Sequence, residues 1–124
     1  MAKGRVLVIE DDEWVSRLLA SCLEEHDFEV LTAAAAKEGF LQACALEPDC
    51  IVCDVTLPEE DGYWVARRVR TEPAAVATTP FLFLTAMDDE QSRLEGFHVG
   101  ADVYMTKPFD PDLLLAHARK VLGS

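Results

Sequence analysis

The sequence predicts an α/β domain, built on a doubly wound parallel sheet of five strands with helices on both faces. Five short apolar runs alternate along the 124 residues with five segments of helical periodicity. This alternation is typical of parallel sheets whose crossovers are right-handed. The runs are continuously apolar, as expected for strands that are buried on both faces. No linker or repeat interrupts the sequence, so residues 1–124 are interpreted as one domain with its own core.

The first half of the chain contains three of the predicted strands. Arg5–Ile9 is an apolar, partly β-branched run, which favours a buried strand. Asp12 or Glu13 can start a helix that runs from Trp14 to about Glu25, because apolar residues recur there every three or four positions. The other predicted elements of this half are the strand Phe28–Thr32, the alanine-rich helix Ala33–Leu46 and the strand Cys50–Asp54.

The second half continues the alternation of helix and strand. Gly62 opens a helix that runs to Arg70, and the polar loop Thr71–Thr79 follows it. The apolar run Pro80–Leu84 is the fourth strand and ends at Thr85. The remaining elements are a helix Glu90–Val99 that Gly100 stops, a strand Asp102–Thr106, and a helix from Asp110 or Pro111 to Leu122.

Charge and hydropathy exclude several classes of function. The net charge is −12, from 23 acidic and 11 basic residues, and such a surface repels nucleic acid, whose binding depends on phosphate neutralisation. No apolar run approaches the ~20 residues of a membrane span. Met1–Arg5 leads directly into a strand and does not resemble a signal peptide. We therefore expect a cytoplasmic protein that contacts neither nucleic acid nor membrane directly.

The cysteine pattern is not interpreted as a redox or zinc site. Cys50 and Cys53 form a C-x-x-C motif, which such sites often use. The two residues lie on a predicted strand, however, where residues three apart point to opposite faces. They are expected to share neither a metal nor a disulfide, and Cys22 and Cys44 fit helix packing faces.

Polar residues that follow the strands carry the chemistry. They are Glu10 and Asp11 after the first strand, Asp54 after the third, Thr85 after the fourth and Lys107 after the fifth. The carboxyl ends of parallel strands share one edge of the sheet, where open α/β sheets bind ligands. Carboxylates suit a hard cation such as Mg²⁺, while a lysine and a hydroxyl suit a phosphoryl group. Two such charges at ~5 Å repel by about 3 kcal/mol at an effective dielectric of ~20, so a cluster without a cation is strained. For any single acidic cluster, a solvated loop is the simpler interpretation.

Four motifs, in this order, resemble the receiver domain of bacterial two-component response regulators. They are Val8–Asp12, Cys53–Pro58 with Asp61 and Gly62, Leu84–Ala86, and Gly100–Phe109. The resemblance covers essentially the whole chain and implies a flavodoxin-like (βα)5 fold with strand order 2-1-3-4-5. Glu10 stands where the family most often has Asp, a variant that is also found in functional members.

The resemblance implies that a sensor histidine kinase or a phosphotransfer protein phosphorylates Asp54 in a Mg²⁺-dependent reaction. Asp54 would be the nucleophile, while Lys107 and Thr85 would contact the phosphoryl oxygens. The implied metal ligands are the side chains of Asp11 and Asp54, the backbone carbonyl of Thr56, and Glu10 either directly or through water.

The resemblance also implies how the signal is passed on. Thr85 and Tyr104 are the switch residues, and Tyr104 turns inward when Thr85 moves toward the phosphoryl group. The surface of the fourth helix, fifth strand and fifth helix would then signal to an output domain or a downstream protein. Thr56 and Met87 would flank the path of the hydrolytic water and tune the phosphoryl lifetime, and Pro108 matches a cis-proline of the family.

Two other functions stay open at this stage. A Mg²⁺-dependent phosphatase with an aspartyl nucleophile usually carries a second Asp two residues after the first, where this chain has Thr56. A receiver that only binds partners would not need the five strand-end residues. Whether the chain stands alone or belongs to a longer protein is not decided by its sequence.

Overall fold

The computed structural model describes residues 4–123 and has the predicted alternation of strands and helices. The strands are β1 (Gly4–Ile9), β2 (Phe28–Ala33), β3 (Cys50–Cys53), β4 (Phe81–Thr85) and β5 (Val103–Thr106). The helices are α1 (Glu13–Glu24), α2 (Ala36–Leu46), α3 (Gly62–Arg70), α4 (Glu90–His98) and α5 (Pro111–Val121). The helices formed by residues 4–123 are too short or too polar to span a bilayer. Residues 1–3, on which the expectation about a signal peptide depends, and residue 124 lie outside the described part.

All strand pairs are parallel, and their order is β2-β1-β3-β4-β5, which confirms the predicted topology. One apolar cluster covers the sheet face under α2 and α3 and includes Leu7, Phe40 and Val65. A second cluster lies on the other face under α1 and α5 and includes Val8 and Leu114. Burial on both faces explains why the strands are continuously apolar in sequence.

The two cysteines of the C-x-x-C motif lie on opposite faces of the sheet, as expected. Cys53 belongs to the cluster under α2 and α3, whereas Cys50 belongs to the cluster under α1 and α5. All four cysteines are free thiols. Burial raises the pKa of Cys50 to about 12, so its thiol is neutral at physiological pH.

Many bounds differ from the sequence-based expectation by one residue, and three differences have a structural reason. Ala33 extends β2 and does not start the second helix, because it pairs with Ile9 in the sheet. Asp102 precedes β5, and its carboxylate accepts hydrogen bonds from the Phe81 backbone N–H at 2.9 Å and from Arg70 at 3.2 Å. The loop before β4 contains an unpredicted 3-10 helix, Ala75–Thr78, whose Val76 side chain is buried.

Several of the acidic residues after the strands are helix caps. Asp12, Asp61, Asp89 and Asp110 precede α1, α3, α4 and α5, and each side chain accepts a backbone N–H of the first turn. Such caps typically stabilise a helix by about 1 kcal/mol. Helix capping therefore accounts for part of the acidity at this edge of the sheet, and it leaves Glu10, Asp11 and Asp54 to be explained.

Candidate functional site

Three carboxylates meet at the carboxyl ends of β1 and β3. The two strands are neighbours with Ile9 paired to Cys53, so Glu10 and Asp54 leave the sheet side by side. One carboxylate oxygen from each of Glu10, Asp11 and Asp54 lies within 4.8 Å of the others. Glu10 and Asp54 are buried, whereas Asp11 is exposed. The structure thus brings together the three acidic residues that the sequence predicted.

Lys107 reaches the same carboxylates from the end of the edge strand β5. It follows β5, and its backbone N–H donates to the Thr85 carbonyl at 2.8 Å. Its Nζ donates to Asp54 Oδ2 at 2.8 Å and to Glu10 Oε1 at 2.5 Å. The bond between Lys107 and Pro108 is cis, as the resemblance implied. The sequence placed Lys107 near the acidic residues, but it predicted neither its direct contact with Asp54 nor that with Glu10.

The electrostatics of this cluster keep the lysine charged. Burial raises the pKa of Glu10, and repulsion by Asp54 adds to this effect while Lys107 opposes it. Burial alone would lower the pKa of Lys107, but its hydrogen bonds to Asp54 and Glu10 outweigh burial, so the pKa lies above its usual value. The ammonium group therefore offsets much of the charge of the two buried carboxylates.

The donor set fits a hard divalent cation. Three carboxylates converge, their ligand atoms are all oxygens, and one of them lies on the exposed residue Asp11. Mg²⁺ is typically bound by one or two carboxylates and keeps several waters, which an open, oxygen-only site permits. Thr56 lies in the same loop, where its backbone N–H donates to Asp54 Oδ1 at 3.2 Å. A role for its carbonyl as a ligand stays a prediction.

Thr85, Thr56 and Met87 are linked to one another by contacts next to Asp54. Thr85 is buried at the end of β4, and its hydroxyl accepts the Met87 backbone N–H at 3.3 Å. The Thr56 hydroxyl lies 3.8 Å from the Met87 sulfur, with the geometry of a weak hydrogen bond. The two residues predicted to tune the lifetime are therefore in contact, and the Met87 side chain is 38% exposed.

Tyr104 lies inward, in the position that the resemblance assigns to the switched state. Its side chain is buried, and its hydroxyl donates to the Met87 carbonyl at 2.7 Å. The ring packs near Phe83 and Phe97, with centroid distances of 6.0 and 6.5 Å. Nothing in the sequence singles out the Met87 carbonyl as the partner of this hydroxyl, because every residue carries such an acceptor.

An apolar groove adjoins the site and was not predicted from the sequence. Its lining residues are Val15, Leu18, Lys107, Pro108, Phe109 and Pro111. Trp14 lies at the start of α1, and its side chain is 69% exposed. The amphipathic pattern of α1 places Val15, Leu18, Leu19 and Cys22 on one apolar stripe, but only Leu19 of these is buried, and Leu18 stays 43% exposed next to the loop after β5.

Comparisons with known proteins agree with this geometry. The family model of the response regulator receiver domain matches residues 6–119. The DNA-binding dual master transcriptional regulator RpaA of Synechocystis is 40% identical over 118 residues, which are 95% of this chain and 48% of that protein. The chain thus spans about half the length of the curated relatives it matches.

Solved structures of response regulators have the same fold as this chain. A protein from Chloroflexus aurantiacus described as a response regulator superposes with a TM-score of 0.92, at 36% identity over 98% of both chains. The BeF3-activated N-terminal receiver domain of Klebsiella pneumoniae RstA superposes with a TM-score of 0.88, at 28% identity over 97% of this chain and 99% of that chain. Because the family model spans nearly the whole chain and the fold and strand order agree, the chain belongs to the response regulator receiver domain family.

Proposed function

We propose that this receiver is a phosphorylatable switch, which accepts a phosphoryl group on Asp54 from a histidine kinase or a phosphotransfer protein. The observation that carries the proposal is the environment of the buried Asp54 carboxylate. Lys107 donates to it at 2.8 Å, and two further carboxylates lie within 4.8 Å. This arrangement offers a nucleophile, a fixed cation and oxygen ligands at one point.

In the proposed reaction, a carboxylate oxygen of Asp54 attacks the phosphorus of a phosphohistidine. A P–O bond forms as the P–N bond breaks, and the electron pair of the P–N bond returns to the imidazole. Lys107 is placed to pair with a phosphoryl oxygen, because its Nζ already lies 2.8 Å from Asp54. When bound by Glu10, Asp11, Asp54 and the Thr56 carbonyl, Mg²⁺ would neutralise charge on the transferring group.

Thr85 can contact the phosphoryl group without losing its present bond. Its hydroxyl accepts the Met87 N–H at 3.3 Å, and a hydroxyl retains one donor when it accepts. Tyr104 is bonded to the carbonyl of the same Met87. The loop that carries Met87 therefore connects the phosphorylation site to Tyr104, and we propose that this loop transmits the switch.

We propose that the signal is read from the surface of α4, β5 and α5, by an output domain or a downstream protein. Leu94 and Phe97 of α4 are 60% and 44% exposed, and apolar side chains of this size at a surface suit a protein contact. The net charge of −12 favours a protein partner over direct contact with nucleic acid. A cytoplasmic location stays a prediction.

We propose that the phosphate-donor protein docks over the groove beside Lys107. A donor whose histidine reaches Asp54 must cover the adjacent surface, and there Leu18 and Phe109 offer it apolar contact. We expect Leu18→Asp to slow phosphorylation by a protein donor and to leave phosphorylation by a small-molecule donor unchanged. Equal slowing with both donors would instead indicate damage to the site itself.

A phosphatase remains the second candidate, but the structure around Asp54 offers it little support. The residue two places after Asp54 is Thr56, whose hydroxyl contacts the Met87 sulfur. The nearby Asp61 caps α3 through the Trp64 backbone N–H at 2.9 Å. We therefore propose that the chain catalyses only its own phosphorylation and dephosphorylation.

The deciding experiment is incubation with acetyl phosphate and Mg²⁺, followed by intact mass and a free-phosphate assay. A stable gain of one phosphoryl group that Asp54→Asn abolishes supports the switch. Asp49→Asn, which changes an exposed acid directly before β3, is the matched control and should still be modified. Rapid release of phosphate with turnover would favour the phosphatase, and no modification would favour a binding module.

A further inference from the structure

The two buried carboxylates of the site are fully hydrogen-bonded within the protein itself. Lys107 binds one oxygen of each, as described above. The second oxygen of Glu10 accepts the Asp12 backbone N–H at 3.1 Å, and the second oxygen of Asp54 accepts the Thr56 backbone N–H at 3.2 Å. Within residues 4–123, no buried side-chain oxygen or nitrogen lacks a partner.

This arrangement makes Lys107 the internal cation of the site. The side chains of Glu10 and Asp54 are 3% and 8% exposed, and that of Lys107 is 20% exposed. Buried carboxylates are costly to leave without a counter-charge. A metal ion that binds Glu10 and Asp54 shares both carboxylates with the ammonium group, which already donates to one oxygen of each.

We propose that Glu10 positions Lys107 as a competitor of the divalent cation, so that metal binding releases the lysine from Glu10. The inference rests on the proposed function, since it assumes that the cation binds here. Once the metal has released Lys107 from Glu10, the ammonium group keeps only its contact with Asp54. Lys107 thereby becomes available to the phosphoryl group when the metal is in place.

The length of the Glu10 side chain makes this contact. Aspartate is shorter by one carbon–carbon bond, about 1.5 Å. A contact of 2.5 Å would stretch to about 4 Å in Glu10→Asp if nothing else moved, which is beyond hydrogen-bonding distance. The contact between Lys107 and Asp54 would remain. Glu10 is therefore a positioning residue for Lys107, in addition to its expected role near the metal.

The test measures Mg²⁺ affinity by calorimetry in the wild type, Glu10→Asp, Lys107→Met and the double variant. Lys107→Met keeps every metal ligand and removes the competitor, so we expect it to bind Mg²⁺ at least tenfold more tightly. Glu10→Asp should tighten binding in the wild-type background and not in the Lys107→Met background, because non-additivity reveals that two residues act through each other. Lys120→Met removes an exposed charge of α5 and should change little.

A second measurement follows the lysine directly. The NMR signals of the Lys107 side chain should shift when Mg²⁺ is added to the wild type, and Glu10→Asp without metal should move them in the same direction. Equal or weaker Mg²⁺ affinity in Lys107→Met would overturn the inference and leave the metal site intact. Failure of every variant to bind Mg²⁺ would refute the metal site itself, and the inference with it.

Discussion

Gly96 allows the Tyr104 ring to lie against the backbone of α4, which makes Gly96→Ala a direct test of the switch. A Cβ at this position would lie 2.7 Å from Tyr104 Cδ2 and 3.1 Å from Cε2. Ordinary contacts begin near 3.4 Å, so the ring must retreat by about 0.7 Å or leave its inward position. Phe83 also lies 3.3 Å from the same Cβ, and its ring packs near the Tyr104 ring at a centroid distance of 6.0 Å.

The expected shift follows from these contacts. Overpacking of this kind costs about 1–3 kcal/mol, and a displaced ring also weakens the 2.7 Å hydrogen bond to Met87, worth about 1 kcal/mol. Neither cost applies when Tyr104 points outward. Gly96→Ala should therefore shift the equilibrium between inward and outward Tyr104 toward the outward orientation by about 2 kcal/mol, roughly 30-fold. Overall stability should change less, because alanine is favoured over glycine in a helix by about 1 kcal/mol.

The assay is fluorine NMR of protein labelled with 3-fluorotyrosine. The chain has two tyrosines, and Tyr63→Phe assigns the signals. In Gly96→Ala, the Tyr104 signal should move toward the position of an exposed tyrosine, and the beryllofluoride concentration that restores the inward signal should rise roughly 30-fold.

The matched control is Gly39→Ala, which makes the same change in α2. Its Cβ would lie 2.5 Å from the Ile9 side chain, away from Tyr104, so the Tyr104 signal should stay in place. The reasoning would be refuted by a folded Gly96→Ala protein with an unchanged Tyr104 signal and an unchanged beryllofluoride midpoint. That result would mean that α4 shifts to accommodate the added Cβ and that Tyr104 stays in place.

Three further predictions concern the metal, the lifetime and the buried thiol. Mg²⁺ at a hundred times its Kd should stabilise the fold by about 2.7 kcal/mol. Thermal melts with EDTA and with Mg²⁺ measure this gain, which Asp11→Ala should remove. Equal melting midpoints of the wild type under the two conditions would contradict the metal site. Met87→Ala should speed loss of the phosphoryl group roughly tenfold, because opening the path of the attacking water lowers the barrier to hydrolysis by about 1.4 kcal/mol. The decay of phosphorylated protein after donor removal tests this. An unchanged lifetime would count against it. Because burial raises the pKa of Cys50 to about 12, only about one thiol in ten thousand is ionised at pH 8. Iodoacetamide should therefore label Cys50 only when the protein unfolds. Rapid labelling of Cys50 in the native protein would contradict its burial.

The sequence predicted the parts of the site that depend on single strands. Glu10, Asp11 and Asp54 were identifiable because they follow short, continuous, partly β-branched apolar runs, which favour buried strands. Their convergence followed from parallel strands sharing one edge, and the observed pairing of Ile9 with Cys53 places Glu10 beside Asp54. Topology and local pattern were sufficient for these residues.

The contacts that the sequence did not predict depend on distances between elements. Glu10 and Lys107 are 97 residues apart, and their contact requires a lysine to reach across β4 from β5. The 3-10 helix at Ala75–Thr78 forms where the Val76 side chain is buried, which the sequence of the long, polar loop predicted there does not reveal. Side-chain reach and packing, more than residue type, decide these features.

Met87 links the chemistry of the site to the switch through two separate parts of one residue. Its sulfur contacts Thr56, whose backbone N–H donates to the Asp54 carboxylate, at 3.8 Å. Its backbone N–H and carbonyl bind the hydroxyls of Thr85 and Tyr104. A substitution at position 87 removes the first contact and keeps the other two, because they involve only the backbone. The phosphoryl lifetime can therefore vary with this side chain while the switch stays intact, and Met87→Ala should decay faster yet give the same Tyr104 response to beryllofluoride.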